Sequence, residues 1–310
     1  MRQATRRELL KSFGGALAAP AILTARPRAR RLPIVFSTLG CPKWSWKTIL
    51  DHAREWGYAA IELRGIQGEM DLTKRPEFSE TGWRQSLRDL TALGLGISDL
   101  GSSARMHEPE ASVRAAQIDE AKRFIDLARR LKARYVRVFG DRFVKGEPRE
   151  ATIDRVVAGL HELARHAQGS GVGVIIESHG DFTDSPTLLQ ILKAVNHPDV
   201  GLLWDAHHTI VAGKEKPADT LMRLGAYVRH THLKDSVPSG NEVRYVLPGA
   251  GKVPLREIIA LLVKQGYREY YSFEWEKAWH PEIEEPEIAF PRYAKVVGQY
   301  LIDAGVKPEY

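Results

Sequence analysis

The sequence predicts an α/β fold, a (β/α)8 barrel, on the basis of three observations. Short apolar segments typical of strands alternate with amphipathic helical patterns from residue 33 onward. The eight strands and their helices span the chain from residue 33 to its end. This length is sufficient for the fold, which typically has about 250 residues. Several predicted helices are followed by a glycine just before the next strand, where a left-handed residue ends a helix well.

The predicted elements follow one another without a linker or a shift in composition. The predicted strands are Ile34–Leu39, Ala60–Arg64, Gly96–Leu100, Tyr135–Phe139, Gly173–Glu177, Gly201–Asp205, Val228–Leu233 and Tyr271–Glu274. Helices are predicted over Ala115–Leu131, Ile153–Ala167 and Leu255–Lys264, where apolar residues recur at three- and four-residue spacing. A doubly wound open sheet is the alternative. It requires a glycine-rich phosphate loop after the first strand, and residues 38–42 do not form one.

The first 31 residues differ in charge from the rest of the chain. They hold eight basic residues and one acid, which leaves 37 basic and 38 acidic residues and a net charge of −1 in the remainder, although the whole chain carries +6. The basic excess therefore gives no argument for nucleic-acid binding by the folded body. No apolar run of about 18 residues predicts a membrane span, and the single Cys41 excludes an internal disulfide.

This N-terminal segment has the features of an export signal. Arg6 and Arg7 precede a weakly apolar stretch at residues 13–23, which ends in small residues. The pattern is similar to twin-arginine signals, with Leu9 where those signals usually have Phe. We expect residues 1–31 to be a signal peptide with a short linker, residues 32–310 to be one barrel domain, and the mature protein to be periplasmic. An amphipathic helix that packs on the body is the alternative.

Four predicted strands end in residues that can bind a metal. Side chains alternate along a strand, so His230, His232 and Lys234 should point to one face. Three other apolar runs lead into Glu177, Asp205 and Glu274, and the carboxyl ends of parallel strands meet at one end of a barrel. We expect Glu177, Asp205, His232 and Glu274 to hold one divalent ion. Three oxygens and one imidazole suit Mn²⁺ or Mg²⁺ best, with Co²⁺ or Zn²⁺ as alternatives.

These motifs resemble the xylose isomerase-like TIM-barrel superfamily, which contains sugar phosphate isomerases and epimerases. The shared segments are Ile61–Arg64, Glu177–Gly180, Asp205–His208, His232–Asp235 and Phe273–Glu274. The resemblance implies the same four ligands on strands five to eight, and it implies that His208 contacts the substrate. The ketose 3-epimerases of this superfamily place an Arg six residues after the strand-seven histidine, where this chain has Pro238. Arg244, further along the same loop, could take its place.

Other polar residues near these strand ends remain open to more than one interpretation. His179 shares the strand period of Glu177 and should face the pocket, whereas His230 should lie deeper in a structural role. Lys234 and Arg64 would either neutralise negative charge on the substrate or pair with Asp235 and Glu62. Arg137 should point inward and pair with Glu62 or Glu177, because an unpaired buried guanidinium is costly.

The predicted function is a metal-dependent sugar isomerase or epimerase that abstracts a proton next to a carbonyl through an enediolate. Glu177 and Glu274 would be the catalytic pair, one removing the proton and the other returning it on the opposite face. The alternative is a lyase or dehydratase that eliminates a leaving group from a keto-sugar, an inosose or a 3-keto-glycoside. A phosphodiesterase like the apurinic-site endonucleases would need further metal ligands and a basic face. The expected partner is a small-molecule sugar or keto-glycoside, with no nucleic acid.

Overall fold

The computed structural model describes residues 30–309 and contains a closed barrel of eight parallel strands. In chain order the strands are β1 (Ile34–Ser37), β2 (Ala60–Leu63), β3 (Gly96–Arg105), β4 (Tyr135–Phe139), β5 (Gly173–Glu177), β6 (Val200–Asp205), β7 (Val228–Leu233), β8 (Asp235–Ser239), β9 (Glu242–Val246) and β10 (Tyr271–Phe273). Strands β8 and β9 form a separate antiparallel hairpin. The other eight close in the order β1-β10-β7-β6-β5-β4-β3-β2. The predicted barrel is confirmed.

Helices follow the barrel strands. They are α1 (Trp46–Glu55), α2 (Trp83–Leu93), α3 (Ala111–Leu131), α4 (Arg149–Ala167), α5 (Ser185–Val195), α6 (Ala206–Val211), α7 (Pro217–Leu224), α8 (Leu255–Lys264) and α9 (Pro286–Asp303). Ser45 and Asp184 cap α1 and α5 by accepting hydrogen bonds from backbone N–H groups of the first turn. Gly94 ends α2 with φ at 65°, in the left-handed region that the sequence predicts for this position.

Alternation along the strands separates an apolar outer layer from a polar barrel interior. Phe36 on β1 stacks on Phe290 of α9 at 4.3 Å between ring centroids, and Phe273 on β10 stacks on Tyr293 at 4.5 Å. Interior positions such as Glu62 are polar and fully buried. The apolar layer stabilises the barrel, while the interior is left to ionisable side chains that must satisfy one another.

Some predicted strand limits are wrong by a few residues. Strand β1 ends at Ser37 rather than Leu39, because residues 38–40 form a 3₁₀ turn that Ser37 caps. Strand β3 continues to Arg105 rather than ending at Leu100, because it rejoins β4 after a register shift between Gly101 and Arg105. Strands β2 and β10 each end one residue earlier than predicted, before Arg64 and Glu274.

The β8–β9 hairpin has no counterpart among the elements predicted from the sequence. It begins at Asp235, directly after Lys234 at the carboxyl end of β7. Its base is fixed by the Asp235 carboxylate, which accepts hydrogen bonds from the backbone of Gly249 (3.0 Å), Gly251 (2.9 Å) and Val253 (3.1 Å). Asp235 thus supports the loop before α8 and does not pair with Lys234.

The predicted signal, with Arg6 and Arg7, lies outside the described residues. Within residues 30–309, no helix combines the length and the apolar character that crossing a bilayer requires.

Candidate metal centre and active site

The four predicted metal-binding residues meet at the carboxyl end of the barrel. Glu177 and Asp205 are the last residues of β5 and β6, His232 lies on β7, and Glu274 follows β10. One potential ligand atom from each lies within 4.8 Å of every other. Ligands about 2.0–2.6 Å from a shared ion can be at most roughly 4–5 Å apart. The cluster therefore has the dimensions of a site for one ion.

The orientation of His232 is set by Glu62 on β2. The Nε2 of His232 donates to the Glu62 carboxylate, at 3.1 Å from Oε1 and 3.0 Å from Oε2. Because Nε2 is occupied by Glu62, Nδ1 is the ring nitrogen left to bind a metal ion. This Nδ1 lies 3.2 Å from Glu274 Oε2 and 3.5 Å from Glu177 Oε1. The histidine therefore directs Nδ1 into the space between two carboxylates.

Glu62 is held by three donors deep in the barrel. Besides His232, its carboxylate accepts from His230 Nε2 at 3.0 Å and from Ser272 Oγ at 2.7 Å. Burial alone would raise the pKa of Glu62, but the positive charge of His232 and the hydrogen bonds from both histidines hold it below its usual value. His230 also lies 3.1 Å from Asp99, whose charge outweighs the effect of burial and raises the pKa of His230 to about 9. His230 therefore has the structural position that its sequence period predicts.

Lys234 is buried among carboxylates at the hairpin side of the cluster. Its Nζ lies 2.8 Å from Asp205 Oδ2, 2.5 Å from Glu274 Oε2 and 2.5 Å from Glu276 Oε1. Burial would lower the pKa of Lys234, but Asp205 and Glu274 raise it well above its usual value, so the ammonium stays charged. The alternative pairing with Asp235 does not occur. Lys234 lies instead beside two of the four candidate metal ligands.

Asp205 combines two tasks at the junction of β6 and α6. Its Oδ1 caps α6 by accepting from His208 N at 3.0 Å, and its Oδ2 faces the cluster. Against the effect of burial, His208 and Lys234 lower the pKa of Asp205 to about 2. The His208 ring is held by Nδ1, which donates to Ser178 O at 3.1 Å, and its side chain is 19% exposed. His208 is thus at the open side of the site.

Two buried arginines, Arg137 and Arg64, lie near Glu177. Arg137 Nε lies 3.1 Å from Glu177 Oε2, and both side chains are 2% exposed. Arg137 was predicted to pair with Glu62 or Glu177, and its partner in the structure is Glu177. Arg64 is also buried, but its guanidinium donates to β3, to Gly101 O and Ser103 Oγ, and not to Glu62. A Cβ on Gly101 would come within 2.7–2.8 Å of both arginines, so glycine is needed for this approach.

His179 lies at the rim of the pocket and is positioned by Asp141. The Nδ1 of His179 is 3.5 Å from Asp141 Oδ1, and its ring centroid is 5.1 Å from that of His208. Asp141 has a φ of 70°, a left-handed conformation that is uncommon outside glycine. Burial would lower the pKa of His179, but the nearby Asp141 carboxylate outweighs it and raises the pKa. The imidazoles of His179 and His208 therefore lie together at the mouth of the pocket, where a substrate could contact them.

Arg244 is not brought into the site. On β9 it alternates with Val243 and Tyr245, which line a groove beside the site, and its own side chain is exposed. Within residues 30–309 the Arg244 side chain makes no hydrogen bond or ion pair, and its backbone belongs to the β8–β9 hairpin. The residue that approaches the cluster from this strand is Tyr245, whose hydroxyl donates to Glu276 Oε1 at 3.1 Å.

The residues present fit a divalent metal ion. The donor set of three carboxylates and one imidazole is the one that suits hard to borderline cations. His232 Nδ1 is buried and completes no hydrogen bond, which is costly unless another group satisfies it. The hydrogen bond from His232 to Glu62 matches the outer carboxylate that commonly orients a metal-binding histidine.

Several residues of the site were missed as site residues by sequence reasoning. Glu62 and Glu276 contact the predicted cluster directly, and Asp99 and Tyr245 support it. Glu62 shares the strand period of Arg64, which was the available signal for an inward direction. For Glu276 the signal was its two-residue spacing from Glu274. Tyr245 lies on a hairpin that no pattern predicted.

The closed barrel and its group of four potential metal ligands define a class of (β/α)8 barrels with a candidate metal site. Comparison with known proteins identifies the family. Residues 50–290 match the family described as "Xylose isomerase-like TIM barrel". Since this match covers more than half of the sequence, the chain belongs to the xylose isomerase-like TIM-barrel family.

Individual relatives have two kinds of activity. A fructoselysine 3-epimerase of Shigella flexneri is 25% identical over 232 residues, which cover 72% of this chain and 82% of the epimerase. An inosose dehydratase of Bacillus cereus (strain AH820) is 25% identical over 141 residues, which cover 40% of this chain and 47% of the dehydratase. The structure of an L-ribulose 3-epimerase superposes with a TM-score of 0.73 at 17% identity, covering 88% of this chain and 95% of that one. This last likeness supports the fold.

Proposed function

We propose that this protein is a divalent-metal-dependent sugar isomerase or epimerase. The observation that carries the proposal is the position of two carboxylates at one site. Glu177 and Glu274 belong to strands three places apart in the eight-stranded ring, yet both reach the same histidine nitrogen, at 3.5 and 3.2 Å. A sugar bound between them would have one carboxylate towards each face of its reacting carbon. The epimerase relatives agree with this arrangement.

In this proposal the two glutamates move the proton. One takes it from the carbon next to the carbonyl, and the other returns a proton to the opposite face, which inverts the centre. Arg137 holds Glu177 in place, and Lys234 holds Glu274, so neither carboxylate needs to reorganise during the reaction. His179 and His208 at the mouth would bind hydroxyl groups of the sugar.

Glu177, Asp205, His232 and Glu274 would hold the metal ion. The ion would supply a Lewis acid that polarises the carbonyl and hydroxyl oxygens of the substrate. Mn²⁺ and Mg²⁺ suit the oxygen-rich donor set best, with Co²⁺ or Zn²⁺ as alternatives. Lys234 and Arg64 would add positive charge near the oxygen that becomes negative when the proton leaves.

Elimination is the second candidate function. It is favoured by the imidazoles of His179 and His208 at the mouth, whose ring centroids lie 5.1 Å apart. Either imidazole could protonate a leaving oxygen after Glu177 or Glu274 has removed the proton from carbon. The inosose dehydratase relative agrees with such chemistry. The substrate would then be a keto-sugar, an inosose or a 3-keto-glycoside, and the products would include water or a released aglycone.

Export of the mature protein to the periplasm is part of the proposal. Its basis is the paired arginines and the apolar stretch in residues 1–31. The catalytic unit would be the domain from residue 32 onward.

Metal analysis followed by proton exchange in D₂O tests the proposed function. Purified protein should contain about one divalent ion per chain, and ¹H NMR in D₂O should show loss of one C–H signal from the correct sugar in a panel of ketoses, aldoses and 3-keto-glycosides. Epimerisation conserves the carbon skeleton and the mass apart from deuterium, whereas elimination releases water or an aglycone. A metal-loaded protein that exchanges no proton of any member of the panel would contradict the proposal.

A further inference from the structure

A groove of about 800 Å³ adjoins the candidate site under the β8–β9 hairpin. It lies between the hairpin and the end of α6 with the loop that follows. Its apolar lining is formed by Ile210, Val211, Pro238, Val243 and Val253. The volume falls within the range of about 300–1,000 Å³ that small-molecule sites occupy. None of the four candidate metal ligands lines it, so it is a separate feature.

The groove and the candidate site share a wall. Tyr245 lines the groove, and its hydroxyl reaches Glu276, while the Lys234 ammonium lies 5.9 Å from its ring centroid. Ser236 also lines the groove, and its hydroxyl is 2.9 Å from Nε2 of His207, the neighbour of His208. Tyr245 and Ser236 therefore separate the groove from the candidate site by a single layer of side chains.

The charges at the groove favour an anionic group. Lys214 and Lys252 are exposed in its lining, and neither makes an ion pair within residues 30–309. Glu242, at the tip of the hairpin, is the acidic residue of this lining. The aliphatic walls suit an apolar body better than a second sugar ring, which would bury hydroxyl groups without partners.

We propose that this groove binds the non-reacting part of the substrate, an apolar group that bears a carboxylate and is attached to the reacting sugar. The inference rests on the proposed function, because it assigns the sugar to the metal site. The substrate is then a sugar conjugate or glycoside and not a free monosaccharide. Remote binding of this kind positions the reacting carbon between Glu177 and Glu274.

Binding of a fragment to the full-length protein tests this proposal without turnover. The probe is 4-hydroxybenzoate, with neutral 4-hydroxybenzamide as its matched counterpart, and saturation-transfer NMR and calorimetry give the dissociation constants. We expect Val243→Trp, which fills the groove, to weaken benzoate binding at least tenfold. Val113→Trp, the same change at a 41%-exposed position on α3, is the control and should leave binding unchanged. Thermal melting verifies that both variants fold.

The lysines are tested by Lys214→Ala combined with Lys252→Ala, two exposed positions. The wild type should bind the benzoate at least fivefold more tightly than the benzamide, and the double variant should remove that preference. Absence of benzoate binding, or equal binding to the Val243→Trp variant, would overturn the groove proposal even if a sugar is turned over. Binding as expected in a protein that exchanges no sugar proton would instead refute the proposed reaction.

Discussion

The imidazole of His232 is bound through Nε2 to the carboxylate of Glu62 at 3.0 Å, with Nδ1 facing Glu177 and Glu274. These two residues are 170 positions apart in the sequence and meet inside the barrel. Glu62 is not itself one of the four candidate ligands. It nevertheless decides which nitrogen of the histidine is free to bind a metal.

Replacing Glu62 with Gln should weaken metal binding. The amide can donate to Nε2, which would favour the tautomer with its proton on Nδ1 and so remove the free lone pair. Changes to such outer partners typically reduce metal affinity about 10- to 100-fold. Calorimetric titration of metal-free protein with Mn²⁺ measures the effect. Ser272→Ala removes only one hydroxyl donor to the same carboxylate and should have a much smaller effect. Unchanged affinity in Glu62→Gln would show that His232 is not a ligand through Nδ1.

Glu274→Gln should retain the metal but lose turnover. The amide oxygen can still coordinate, whereas the amide cannot accept a proton at neutral pH. Loss of a general base typically lowers the rate about 10²- to 10⁴-fold, or about 3–5 kcal/mol of barrier. The variant should still exchange the proton that Glu177 removes, and Glu177→Gln should exchange only from the other epimer.

Steady-state kinetics and NMR in D₂O measure both effects, with Glu257→Gln on the exposed side of α8 as the control. Near-normal turnover in both variants would exclude the two-base assignment. His179 or His208 would then be the next candidates for moving the proton.

Arg137→Met should destabilise the metal-free protein strongly. It leaves the Glu177 carboxylate buried without its 3.1 Å partner, and removal of one member of a buried pair costs about 3–5 kcal/mol. The double change Arg137→Met with Glu177→Gln should be less destabilised than Arg137→Met alone, because no unpaired charge remains. Urea unfolding with EDTA present measures these free energies of unfolding. Arg105→Met is the matched control, since Arg105 is 51% exposed in its pair with Asp141 and should contribute less than about 1 kcal/mol. If the changes in free energy of unfolding for Arg137→Met and Glu177→Gln simply add in the double variant, the two side chains are not coupled.

Export should depend on the two adjacent arginines near the N-terminus. Arg6→Lys with Arg7→Lys keeps the charge of the segment but removes the pair that characterises twin-arginine signals. We expect the protein to remain in the cytoplasm, as measured by fractionation and immunoblotting. Arg28→Lys with Arg30→Lys in the same segment should leave export intact. Normal export of the first variant would assign the segment to another route.

The sequence predicted the barrel and the four converging residues for a common physical reason. In a parallel barrel the carboxyl ends of the strands are neighbours, independently of the conformation of the loops. A carboxylate or histidine at the end of each of β5, β6, β7 and β10 must therefore approach the others. The left-handed glycines, such as Gly94 after α2, are local features that need no tertiary information. The partner of Arg137 could not be chosen, because two acids were compatible with its inward direction.

The sequence by itself determined the alternation of strands and helices, the inward face of His230, His232 and Lys234, and the residue types available to a metal. These depend on the strand period and on chain order. Only the tertiary structure decided that Glu62 orients His232, that Lys234 contacts Glu274 and Glu276, and that Arg244 is turned away on an unpredicted hairpin. The physical reason is distance along the chain: buried charges select partners by proximity in space, and closing the barrel brings together residues that local patterns cannot relate.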